Sequence, residues 1–251
     1  MSAAGPARDA EGRVALISGG SRGIGLAVAQ ALQAAGWQLS LGLRRPVLPL
    51  GLAPDTHLAP HDAERRDEAA WVAAAVAHFG HIDAVICSAG VMIPGDILEL
   101  PDADLQRMWE VNVRAPRRLV AAAWPELCAA GARARAAADC QAAVGGRVLI
   151  LGSLSGLRVK SAGSAGYAMT KHAVVALGHG LRQAGHVQGI RTTVVCPGFV
   201  DTDMARAITD FPPERMTRAS DVARLARMAL ELPDTAALAT LPISCQLEDI
   251  Y

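Results

Sequence analysis

The stretch Val14-Ala15-Leu16-Ile17-Ser18-Gly19-Gly20-Ser21-Arg22-Gly23-Ile24-Gly25 decides the fold. Arg13–Ser18 reads as a first apolar strand, and Gly23–Ala35 as a helix that Gly36 ends. The glycines between them let the backbone turn tightly and approach a phosphate with no Cβ in the way. The helix then offers its unpaired N–H groups and positive dipole end to that anion. The spacing is G-x-x-x-G-x-G, unlike the commoner G-x-G-x-x-G, and no Lys-Ser/Thr follows to make a P-loop. A glycine turn before a helix is common as a plain structural turn. Its position after the first strand of a strand–helix alternation is what points to a dinucleotide.

Working outward, Gln38–Leu43 reads as strand two, and a short third strand surrounds His57–Leu58. Glu64–His78 has helical spacing in Trp71, Val72, Ala75 and Phe79. Ala84–Ser88, Arg147–Leu151, Arg191–Cys196 and Ala239–Ile243 read as further strands. Helices are expected from about Asp102, over Asn112–Leu127, over Ser164–Ala184, and over Ser220–Leu230 with a serine at the cap. Such alternation builds an α/β fold, a doubly wound parallel sheet of about seven strands with helices on both faces. Ligands then bind beyond the carboxyl ends of the strands. No Pro/Gly/Ser linker divides the chain, so the expectation is a flexible arm over residues 1–12 and one domain over 13–251. The Ala/Arg-rich stretch Cys128–Val144 reads as a helix extension or a solvated surface insertion.

The chain has 251 residues, 51% of them apolar, and a formal net charge of zero. A domain of this size buries roughly 70–75% of the surface its unfolded chain exposes. The neutral balance gives no pull toward nucleic acid or anionic lipid. Met1–Arg13 is too polar for a secretory signal, and no apolar run approaches the ~20 residues that span a bilayer. Cys87, Cys128, Cys140, Cys196 and Cys245 are scattered, which reads as reduced thiols in the cytoplasm. His57 and His61 have a zinc-like spacing, but Pro60 between them argues against the helix that would use it, so no metal is expected. Trp37, Trp71, Trp109 and Trp124 read as packing residues.

Lysine occurs only at Lys160 and Lys171, and tyrosine only at Tyr167 and Tyr251. Tyr167 and Lys171 lie four apart on one expected helix and share a face. A free tyrosine, with a pKa near ~10, is a poor acid–base catalyst at neutral pH. A neighbouring ammonium favours the phenolate. Ser153, just past strand Arg147–Leu151, puts a hydroxyl where a substrate carbonyl could be held. A random Tyr-x-x-x-Lys is an ordinary surface pair; this one uses the only internal tyrosine and follows a strand that ends in a serine.

These motifs, in this order, resemble the short-chain dehydrogenase/reductase family from about Arg13 to at least Met204. Ser18-Gly19…Gly23-Ile24-Gly25 is similar to its T-G-x-x-x-G-x-G loop. Asp62 matches its adenine-contacting aspartate, and Cys87-Ser88-Ala89-Gly90 stands where the family has N-N-A-G. Asn112, Ser153, Tyr167 and Lys171 match its catalytic tetrad, and Pro197-Gly198-Phe199-Val200-Asp201-Thr202 its nicotinamide-clamping P-G-x-x-x-T. The resemblance implies a single-domain Rossmann fold and hydride transfer. Tyr167 would be the general acid/base and Ser153 the carbonyl binder. Lys171 would bind the ribose and tune Tyr167, and Asn112 would hold a proton-relaying water. Cofactor contacts are implied for Gly19, Ser21, Arg22, Gly23, Ile24, Gly25, Arg44, Arg45, Asp62, Ala63, Ser88, Ala89, Gly90, Tyr167, Lys171, Pro197, Gly198, Val200 and Thr202. Both asparagines of N-N-A-G are missing, a change expected to loosen the central strand. The segment from Thr202 to Ser220 is short for a substrate lid, suggesting an open site.

NADP(H) is expected over NAD(H). An NAD site wants an acid at the end of strand two; here Leu43 holds that place, followed by Arg44 and Arg45, with Arg22 in the loop facing the same ribose. The substrate is expected to be a small or medium ketone or secondary alcohol with an apolar body, facing Val91, Met92, Ile93, Leu154, Leu157, Phe199 and Met204. Arg158 is the one charged exception. The small residues of Asn112–Leu127 and Ser164–Ala184 suggest a homodimer or homotetramer. A catalytically silent dinucleotide sensor or scaffold is the competing reading; it has no need of the complete tetrad.

Overall fold

The computed structural model describes residues 12–137, 139 and 141–248. The arm expected over residues 1–12 lies outside them except for Gly12. Seven strands form one parallel sheet: β1 Val14–Ser18, β2 Gln38–Leu43, β3 His57–Pro60, β4 Ala84–Cys87, β5 Gly146–Leu151, β6 Ile190–Pro197 and β7 Thr240–Ile243. Their order is β3-β2-β1-β4-β5-β6-β7, so the winding reverses between β1 and β4. The longer helices are α1 Gly23–Gln33, α2 Glu68–Phe79, α3 Asp102–Trp109, α4 Ala115–Ala136, α5 Ala165–Gly185, α6 Asp203–Arg206 and α7 Ala219–Glu231.

Alternation along each strand splits the core in two. Val14 and Leu16 of β1 face a layer with Trp71 of α2, Leu119 and Leu127 of α4 and Val174 of α5. Ala15 and Ile17 face the other layer, with Val28 and Leu32 of α1 and Val222 and Leu230 of α7. Strands buried on both sides read as unbroken apolar runs, and all five residues of β1 are buried. The altered N-N-A-G position leaves the central strand fully paired: Cys87 stands opposite Ser18 on one side and Ile150 on the other.

Several boundaries differ from expectation for local reasons. α2 begins at Glu68 rather than Glu64, because residues 62–66 form a turn with Arg66 at φ 59°. The Asp67 carboxylate holds that turn, accepting from the Asp62 backbone N–H at 3.1 Å. Ser220 is not the cap of α7. The helix starts at Ala219, the cap position is Arg218, and Asp221 in the first turn complements the helix dipole. α3 and α4 are joined by a π-turn over Glu110–Arg114. α4 runs on through the Ala/Arg-rich stretch to Ala136, burying Ala130, Gly131 and Ala134, so this part is no solvated insertion.

The end of the sheet away from the strand carboxyl ends is tied by charge. Arg147, at the start of β5, is buried and donates to Asp234 at 2.8 Å. Arg133 of α4 donates at 2.7 Å to Asp83, whose other oxygen accepts from the Val14 N–H. Removing one partner of a buried pair such as Arg147–Asp234 typically costs about 3–5 kcal/mol.

Candidate active site

A cleft of about 750 Å³ opens at the strand carboxyl ends, over the reversal between β1 and β4. One wall is the glycine loop. Gly19 has φ 70°, and a Cβ there would stand 2.7 Å from the Ala89 amide; one on Gly25 would stand 2.3 Å from the Gly19 carbonyl. The loop is therefore packed against residues 88–89 with no space for side chains. Ser18 supports it, accepting from the Ala89 N–H at 3.3 Å. α1 behind the loop has no side-chain cap and no acid in its first turn. That uncapped, positive helix end with a glycine approach fits a pyrophosphate.

Gly19, Ser21, Arg22, Gly23, Ile24, Gly25, Arg44, Asp62, Ala63, Ser88, Ala89, Gly90, Pro197, Gly198, Val200 and Thr202 all line the cleft. Arg45 does not; it is exposed beside the cleft, since β2 ends at Leu43 and only Arg44 continues along the wall. Arg22 lines the mouth but is ion-paired with Asp203 at 2.9 Å, at 71% and 68% side-chain exposure. This pair ties the glycine loop to α6.

The facing wall carries the hydroxyls. Ser153 caps a short turn after β5, accepting from the Ser155 N–H at 3.1 Å. Tyr167, half-buried in the first turn of α5, lines the cleft together with Ser153, close enough for the serine hydroxyl to act on its phenol. Burial pushes the phenol up to about 12, with the neighbouring Ser153 hydroxyl opposing it. Lys171, one turn on, is buried and donates to the Leu151 carbonyl at 2.7 Å. Its ammonium lies 5.6 Å from the centre of the Tyr167 ring. Burial lowers it to about 8. At neutral pH the phenol is thus a proton donor with a cation behind it.

Asn112 lies behind the cleft wall. It sits in the π-turn, 2% exposed, and is not part of the cleft lining. Its amide donates to the Val91 carbonyl at 2.9 Å and to Thr170 Oγ1 at 3.1 Å, and accepts from the Val91 N–H at 2.8 Å. Thr170 in turn donates to the Tyr167 carbonyl at 2.7 Å. The side chain therefore clamps the Val91 wall to the turn bearing Tyr167, a positioning role. Of the apolar positions expected near the substrate, Val91, Met92, Leu154, Phe199 and Met204 line the cleft; Ile93 and Leu157 do not. Sequence reasoning missed Lys160 and Glu248, which line it beside Arg158. The scarcity of lysine was a usable signal; Glu248 gave none.

Fold and cleft together define a doubly wound α/β protein with a cleft at the strand switch point, where such sheets bind their ligands. The chain belongs to the short-chain dehydrogenase family, whose profile matches residues 13–212. An agropine synthesis reductase of Rhizobium rhizogenes is 37% identical over 244 residues, covering 95% of this chain and 54% of that protein. The chain thus spans about half the length of that relative. The fold matches a 3-ketoacyl-(acyl-carrier-protein) reductase from Brucella melitensis, solved with NADH. The TM-score is 0.82 at 22% identity, over 94% of this chain and 98% of that one. A short chain dehydrogenase from Burkholderia cenocepacia, solved with NADP, gives a TM-score of 0.79 at 26% identity over 95% and 98%. Membership places the chain in a family of dehydrogenases. Among the described residues, no helix is long and apolar enough to cross a membrane.

Proposed function

We propose that the protein transfers a hydride between NADP(H) and a small or medium ketone or secondary alcohol, with Tyr167 as general acid/base. The observation that carries this reading is the meeting of Ser153, Tyr167 and Lys171 in one cleft, with the Lys171 ammonium 5.6 Å from the centre of the Tyr167 ring. When bound, the nicotinamide supplies or accepts the hydride. Ser153 orients the carbonyl oxygen. Tyr167, held protonated by burial, gives that oxygen its proton in reduction. In oxidation the proton returns to the phenolate, which the Lys171 ammonium stabilises. Asn112, through Val91 and Thr170, keeps the two walls in register.

The preference for NADP(H) rests on Arg44. It lines the cleft at the end of β2, where no acid stands, and has no carboxylate within ion-pair distance among the described residues. A guanidinium fork suits a 2′-phosphate. Arg22 joins it once it leaves Asp203. Residues 13–251 act as one domain in the cytoplasm, a setting that suits the free thiols of Cys87, Cys128, Cys196 and Cys245. We also infer a homodimer or homotetramer through α4 and α5. The sheet uses Leu119, Ala123, Leu127 and Ala168, but Ala121, Met169 and Ala176 remain exposed. Light scattering at micromolar concentration tests this; a monomer overturns it.

The test of the activity is cofactor consumption with a panel of ketones and secondary alcohols, both neutral and carboxylate-bearing. Turnover with NADPH exceeding that with NADH is the expected result. Intact cofactor binding with no consumption in either direction overturns the reading.

A further inference from the structure

The cleft holds a second concentration of chemistry beyond the hydroxyl pair. Arg158 lies one turn past Ser153, its backbone N–H donating to the Leu154 carbonyl at 3.1 Å. Lys160 follows, so both cations belong to the segment that joins Ser153 to Tyr167, not to the glycine-loop wall. The chain's only two lysines, Lys160 and Lys171, both line this cleft.

Glu248, from the segment after β7, reaches into this pair. Arg158 Nε and Nη2 donate to its Oε2 at 2.9 and 2.8 Å. Lys160 Nζ donates to Oε1 at 3.2 Å, as does Ser244 Oγ at 3.3 Å. The Arg158 and Glu248 side chains keep only 8% and 7% of their exposure. The site is thus already shaped around one planar carboxylate, and a guanidinium fork matches that group better than a point charge does. Two cations against one anion leave an excess positive charge on a wall that also carries Leu154, Phe199 and Met204.

The segment that brings the carboxylate is weakly held. Residues 244–248 form no helix or strand. Apart from the Glu248 contacts, its hydrogen bonds among the described residues are Cys245 Sγ to the Phe199 carbonyl at 3.6 Å and the Gln246 N–H to Ser244 Oγ at 3.2 Å. Leu247 is 95% exposed. Leaving Arg158 unpaired in this half-dry site is costly, but exchanging one carboxylate for another keeps it paired.

We propose that Arg158 and Lys160 anchor a carboxylate carried by the substrate, and that Glu248 occupies this anchor until the substrate displaces it. The substrate is then an oxo acid or hydroxy acid with an apolar stretch between its two polar ends. The word substrate rests on the hydride-transfer reading above; carboxylate binding does not. The rival account is that Arg158 only fastens the segment after β7.

The experiment is calorimetric titration of the full chain with pentanoate and with its neutral counterpart pentanamide. Glu248→Gln should bind pentanoate at least tenfold tighter than wild type does, and at least tenfold tighter than it binds pentanamide. Adding Arg158→Gln should abolish that preference and leave pentanamide affinity unchanged. A Glu248→Gln protein with no preference for pentanoate, or a preference that survives Arg158→Gln, overturns the proposal. Should the variants fail to fold, hydrogen exchange on wild type decides. Pentanoate, and not pentanamide, must accelerate exchange of the amides of 245–248; no acceleration overturns the proposal. Pentanoate binding without turnover of any ketone would keep the anchor and remove the hydride-transfer reading. Turnover of neutral ketones without carboxylate preference would do the reverse.

Discussion

On the glycine-loop side of the cleft, the reactive surface is main chain: amides at the start of α1, a carbonyl at Gly19, and one arginine at the end of β2. On the facing side it is side chain: the Ser153 and Tyr167 hydroxyls, the Lys171 ammonium and the Arg158–Lys160–Glu248 cluster. The first wall is sensitive to any atom added, since a Cβ on Gly25 would overlap a backbone oxygen. The second is sensitive to any functional group removed. A backbone wall binds what many nucleotides share; a side-chain wall sets what is done and to which substrate.

The sharpest way to break this division is Tyr167→Phe, which removes one oxygen from the side-chain wall. Turnover should fall by ~10²–10⁴-fold, the usual worth of a positioned acid–base group. Cofactor affinity, read by fluorescence titration, should barely change. Retained turnover would mean that the facing wall is not where the chemistry lies.

Arg44→Asp tests the one place where the backbone wall depends on a side chain. Charge-assisted bonds contribute ~1.5–3 kcal/mol each. The ratio of kcat/KM for NADPH over NADH should therefore drop by roughly ten- to a thousandfold, with NADH-supported turnover maintained. An unchanged ratio at fixed ionic strength would show that the backbone wall does not discriminate.

Lys171 sharpens the comparison through pH. Its folded pKa of about 8 lies below the ordinary 10.5, so the unfolded chain holds this proton more tightly. Burying it costs stability below pH 8, and the cost fades as pH rises from about 8 to 10.5. Wild type should therefore gain on Lys171→Met by up to about 3 kcal/mol between pH 7 and pH 10.5 in denaturant unfolding. Tyr167, raised by burial, works the other way only above pH 10. A pH-independent difference would mean that the ammonium is not buried as described.

The smallest effect is expected from Asp203→Asn, which breaks the Arg22 pair between loop and α6. Both side chains are exposed, so stability should move by no more than ~1 kcal/mol. A larger loss in a thermal melt would show that the pair holds the mouth of the cleft together.

The backbone-built parts were largely legible. β2 reads as Gln38–Leu43 from its apolar run and is Gln38–Leu43 in the structure; the glycine spacing placed the loop. The hydroxyl pair was legible because Ser153, Tyr167 and Lys171 lie within two neighbouring elements. What stayed hidden depends on residues meeting from afar. Nothing local in Arg22 announces Asp203, and nothing in Arg158 announces Glu248, 90 positions away. Asn112 was found but its partners were not, because a π-turn changes which way a helical side chain points. The Ser220 cap failed because a serine can equally sit inside a first turn.

That π-turn also bears on which changes of length the gene can absorb. A π-turn holds one residue more than the α-helix it interrupts. Losing a single codon among 110–114 would restore a regular helix and, because the wider turn already absorbs that extra residue, leave the two flanks in nearly the same register. Leu119, Ala123 and Leu127 would keep their places against the sheet, and the change would fall on the widened turn itself, drawing the Asn112 amide away from Val91 and Thr170. Surface loops tolerate such deletions, whereas here one missing triplet would leave the fold standing and the catalytic turn without its clamp.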